Sequence, residues 1–76
     1  MEGWRIDVGD LVKIVSHRVH VTCGVKYGTV VKVHYERMDL GLPPIAEVMM
    51  YTAGLGQFTD WLHINNLERV TPLSRL

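Results

Sequence analysis

The 76-residue sequence predicts an all-β fold: a small, closed five-stranded barrel with one 3-10 turn before its last strand. Three observations carry that expectation. β-Branched residues recur in runs of strand length, as in LVKIV, TVVKV and the stretch from Ile45 to Thr52. Glycine, proline and aspartate separate those runs, and no segment sustains apolar spacing long enough for a helix. Five short strands expose two sheet edges unless the sheet closes on itself, which is the reason for expecting a barrel.

The first strand follows the Gly9-Asp10 turn and runs toward Ser16, with Val8, Val12 and Ile14 expected on one face. The second spans Tyr27 to Glu36. There Val31, Val33 and Tyr35 alternate with Val30, Lys32 and His34, the strongest period-two signal in the chain. Arg37 to Pro44, RMDLGLPP, reads as a loop, because prolines cannot donate to a sheet ladder. Ile45 to Thr52 forms the third strand, and Gly54 and Gly56 bracket a hairpin into Gln57 to Leu62. His63 to Leu67, HINNL, is too short for an α-helix and suits a single 3-10 turn, with Leu67 to Val70 as the closing strand. Trp61, Leu62, Ile64 and Leu67 are expected to plug the barrel end, with His63 a partly exposed turn residue.

Size and composition bound the function. Residues 1–76 are expected to form one domain with short N- and C-terminal arms, near the lower size limit for a self-sufficient core. Apolar residues at 47% and charged residues at 21% indicate a folding chain rather than a disordered one. Eight Lys and Arg balance eight Asp and Glu, so no global positive field draws the chain toward nucleic acid or an anionic membrane. The single cysteine, Cys23, excludes an internal disulfide and fits a reducing compartment. No apolar run spans a bilayer and MEGWRIDVGD lacks a signal-peptide pattern, so the cytoplasm is the expected site of synthesis.

Candidate chemistry is sparse. His17, His20 and Cys23 offer zinc-type ligands, but residues three apart on a strand face opposite ways and no fourth ligand accompanies them. Cys23 with a histidine could form a nucleophile pair, against the commoner reading of a small buried thiol. Gly54-Leu55-Gly56 lacks the length and following helix of a phosphate-binding loop. No enzyme activity, metal or cofactor is expected.

The succession VGDLVKI, YGTVVKV, a glycine-marked hairpin and WLHINNLERV resembles the SH3-like small-barrel superfold over residues 7 to 70. The cadence is also similar to that of short phage proteins, some of them likened to Sm-like rings. Sm-like RNA binders carry an Arg-Gly or Lys-Gly dipeptide where this chain has Asn65-Asn66-Leu67-Glu68. The resemblance implies a non-enzymatic, virion-associated structural protein that assembles with itself or with other virion proteins and is made in the host cytoplasm. Surplus apolar residues make Trp4, Leu40, Leu42, Met49 and Leu76 the expected protein interface. The alternative is an Sm-like nucleic-acid-binding module that would use Lys13, Lys26, Tyr27, Lys32 and Tyr35.

Overall fold

A computed structural model describes residues 6–15 and 22–70 of the chain. Five strands follow in order: β1 (Leu11–Ile14), β2 (Tyr27–His34), β3 (Ile45–Thr52), β4 (Gly56–His63) and β5 (Leu67–Arg69). They form one antiparallel sheet in the order β4-β3-β2-β1-β5. All-β content and the 3-10 turn Ile64–Asn66 before the last strand agree with expectation.

The barrel does not form. β4 and β5 are the two edges of an open sheet and do not pair with each other. Closure needs every strand paired along both sides with a consistent stagger. Here β2, β3 and β4 have eight residues each, whereas β1 has four and β5 three, so the short side offers too little ladder to meet β4. The edges are managed by other means. β5 is very short, and on β4 the carboxylate of Asp60 accepts the N–H of Trp61 at 2.8 Å, placing a charge in mid-strand.

One face of the sheet carries the core. Val12, Val30, Ala46, Val48, Met50 and Leu62 are buried there, and Ile6, Ile64 and Leu67 pack with them from outside the long strands. The β3–β4 register explains the alternation: Ala46 faces Leu62 and Met50 faces Phe58, with Met49 and Thr59 turned the other way. Gly28 lies where β2 passes over β3. A Cβ at that position would overlap Val48 Cγ1 and stand 2.9 Å from the Met49 carbonyl oxygen, so the missing side chain permits the approach.

The alternation expected across β2 is broken by a register shift between Val30 and Lys32. Val30 pairs with Val48, yet Val33 pairs with Ala46, which puts Val33 on the core side and leaves Val31 exposed. Val8 also departs from expectation at 64% exposure. It belongs to the turn Asp7–Asp10 rather than to a strand: Asp10 N–H bonds the Asp7 carbonyl, and Gly9 takes a φ of 95°.

Between β2 and β3, Tyr35–Leu40 is a 3-10 helix, where the strand is expected to run on to Glu36 and a plain loop to follow from Arg37. Gly41 ends it in the left-handed conformation, and Gly41 and Leu42 N–H groups bond the carbonyls of Met38 and Arg37. None of its six residues is buried, and Leu40 is 75% exposed. Its first residue ties the fold together. The Tyr35 hydroxyl accepts the Ile6 N–H at 2.9 Å and donates to the Ile6 carbonyl at 3.0 Å, fixing Ile6 over the core.

Candidate functional site

An antiparallel sheet with one buried face ordinarily presents polar side chains on the other. This one sets aromatic and aliphatic groups among them. Across the outer face the register aligns Leu11 with Thr29, Thr29 with Met49, and Met49 with Thr59. Tyr27 stands beside Lys13, Tyr51 beside Gln57, and Trp61 beside Glu47. Tyr51 is 70% exposed, Tyr27 50% and Leu11 41%, an apolar cluster around Met49; Trp61, 46% exposed, stands apart from it beyond Thr59 and Glu47.

A groove of about 290 Å³ opens on this face, lined by Leu11, Tyr27, Gly28, Thr29, Met49, Met50, Tyr51 and Gln57. Gln57 Nε2 donates to Met49 Sδ at 2.9 Å, and farther along Thr59 Oγ1 donates to Glu47 Oε2 at 3.1 Å, so both side chains are held in place. The lining contains no carboxylate, imidazole, thiol or ammonium group. Such a surface can grip apolar side chains and offer tyrosine and amide hydrogen bonds, but it holds no acid–base pair.

The opposite end of the face is built around His34. Its ring lies 4.9 Å from that of Trp61 at an interplanar angle of 51°. Its Nδ1–H donates to Glu36 Oε2 at 2.7 Å, while Nε2 is buried without a hydrogen-bond partner among the described residues. The bond from His34 is the main cause that lowers the Glu36 carboxyl below its ordinary value; a backbone hydrogen bond and the charges of His34 and Lys32 act in the same direction. Asp10 and Arg69 form a separate ion pair at 3.5 Å behind the turn, a distance and geometry that give Coulombic attraction without a hydrogen bond.

The expected site residues separate in space. Met49 lies in the groove, and Leu40 and Leu42 project from the β2–β3 connection at the other end of β3. Trp4 and Leu76 fall outside the described residues. Of the cationic and aromatic set, Lys13 and Tyr27 are neighbours across β1 and β2, and Lys26 adjoins Tyr27. Lys32 pairs in register with Glu47 instead, and Tyr35 is turned inward onto Ile6. Cys23 is exposed in a turn with a φ of 57°, not buried as a small core thiol. His17 and His20 lie outside the described residues, and among the described residues no three His, Cys, Asp or Glu side chains converge as a metal site.

Sequence reasoning missed Tyr51, Leu11 and Gln57 as surface residues of one groove and assigned Trp61 to closure. The available signal was parity: Met49, Tyr51, Gln57, Thr59 and Trp61 share one face once β3 and β4 are paired as a hairpin. Among the described residues, no helix is long and apolar enough to cross a membrane.

Compared with protein-family models, curated proteins and solved structures, the chain matches none. The resemblance to SH3-like, Sm-like and phage proteins is therefore corrected: no match supports it, and the sheet on which it rests is open. The virion-structural role and the alternative Sm-like nucleic-acid role lose their basis with the barrel.

Proposed function

We propose that this chain is a non-enzymatic protein-contact module whose outer sheet face holds a second copy of the same polypeptide. The observation that carries the reading is the row Leu11, Tyr27, Met49 and Tyr51 around an open groove, on the face where an isolated sheet would carry polar groups. Aromatic residues and methionine are the side chains that enrich protein interfaces, since they bury large areas at low cost in rotamer entropy. The balanced net charge favours self-association, because two copies approach without long-range repulsion. The lack of acid–base groups in the groove lining supports binding rather than chemistry.

The test is the weight-average mass of the chain against concentration by light scattering, for the natural sequence and for Tyr51→Lys. The natural chain should gain mass with concentration, and the lysine variant should remain a monomer at the same concentrations with an unchanged circular dichroism spectrum. A lysine variant that associates as well as the natural chain would remove the outer face from the contact.

A further inference from the structure

Among the described residues, two sets of exposed apolar side chains lie at opposite ends of β3, apart from separately exposed residues such as Val8, Leu55 and Trp61. One is the groove around Met49 and Tyr51; the other is the short connection carrying Met38, Leu40 and Leu42, exposed at 53%, 75% and 44%. From Tyr51 to Ile45 the strand rises about 20 Å at roughly 3.3 Å per residue. Gly41 and the hydrogen bonds from Gly41 and Leu42 back to Met38 and Arg37 hold the connection in a defined shape. A rigid extended strand separates the two sets, so neither can cover the other within one chain.

We infer that Leu40 and Leu42 of one copy seat in the Tyr27–Tyr51 groove of the next, joining copies head to tail. This rests on the outer-face reading above and names what the face holds. The small groove volume suits two or three side chains rather than a cofactor. Charge agrees with shape. Glu36, Arg37 and Asp39 give the projecting connection a net charge of −1, while on the Tyr27 side of the groove Lys13 stands in register with Tyr27 and Lys26 adjoins it in sequence, with Glu68 facing Lys13. A contact between different patches on identical chains is heterologous: it leaves a free groove at one end and a free connection at the other, and growth stops only if the rotation closes a ring.

Complementary variants test this directly. Tyr51→Lys disables the groove and leaves the connection intact; the double variant Leu40→Ser, Leu42→Ser disables the connection and leaves the groove intact. All three positions are exposed, so each variant should keep the natural circular dichroism spectrum. The natural chain should grow beyond a dimer with concentration. Each variant alone should be a monomer, and their equimolar mixture should double in mass and stop there, because one usable groove meets one usable connection. A mixture that stays monomeric while the natural chain associates would overturn the head-to-tail contact. If the serine variant alone still associates while Tyr51→Lys does not, the outer face stands as an interface and the connection is excluded as its occupant. If Tyr51→Lys still associates, the outer-face reading itself falls. A natural chain that is monomeric throughout overturns the self-contact in both forms.

Discussion

Tyr35→Phe removes a single oxygen atom, and the structure assigns that atom two bonds. The hydroxyl accepts the Ile6 N–H at 2.9 Å and donates to the Ile6 carbonyl at 3.0 Å, and Ile6 is 1% exposed. A net hydrogen bond contributes about 1 kcal/mol, and a backbone group left unpaired in a buried position costs about 1–3 kcal/mol. Both bonds are part-buried, so water regains some access to the orphaned groups, and the expected loss is roughly 2–3 kcal/mol. For a domain of this size each kcal/mol lowers Tm by about 4–8 °C, which places the variant roughly 8–24 °C below the natural chain. Thermal and urea unfolding followed by circular dichroism would measure this. The matched controls are Tyr27→Phe and Tyr51→Phe, whose rings lie on the exposed outer face and whose changes should stay within about 0.5 kcal/mol. If Tyr35→Phe melted together with those controls, the hydroxyl would not be fastening Ile6 to the sheet, and the account of how the chain covers its core would be refuted.

Two further outcomes are expected. Gly28→Ala should destabilise by about 1–3 kcal/mol or more through overpacking against buried Val48 and the Met49 carbonyl, whereas Gly54→Ala, whose nearest neighbour would be Thr52 Oγ1 at 3.9 Å, should not; comparing the two urea midpoints decides this. Glu36, held by His34, should titrate below the ordinary glutamate value of 4.5; its contribution to stability is complete above that value and is lost as pH falls through the lower folded one. Carboxyl chemical shifts followed against pH should show the Glu36 midpoint rising when His34 is replaced by Gln, and an unmoved midpoint would refute the hydrogen bond as the cause.

Much of the strand pattern was legible because it depends on local chemistry. Ile45–Thr52 is a strand with the limits its β-branched and aromatic content suggests, and Gly54 and Gly56 do mark the return into β4. Ile64–Asn66 makes one 3-10 turn, too short to be anything longer. The second strand shows where local reading stops. Its residues announce a strand, but the bulge at Val31 exchanges the faces of everything after it, and a bulge is defined only against a partner strand. Val8 was misplaced for a related reason: its side chain suits a strand, while the Asp7–Asp10 hydrogen bonds make it part of a turn.

The candidate site was less legible than the fold. Met49 stood out because Ile45 to Tyr51 carries bulky apolar groups on both faces, which the register confirms with Ala46, Val48 and Met50 inward and Met49 and Tyr51 outward. Tyr35 and Tyr27 are equivalent as letters, yet one fastens Ile6 and the other lines the groove. What the sequence determined by itself was the five strands, the glycine and proline breaks near their ends and the 3-10 turn before the last strand, each set by β-branching, glycine and proline over a few residues; the 3-10 helix Tyr35–Leu40 was not among them. What only the tertiary structure decided was whether the sheet closes and which tyrosines reach the surface. Both depend on strand lengths and registers set by pairing between residues far apart in the chain, and no window of neighbouring residues contains that information.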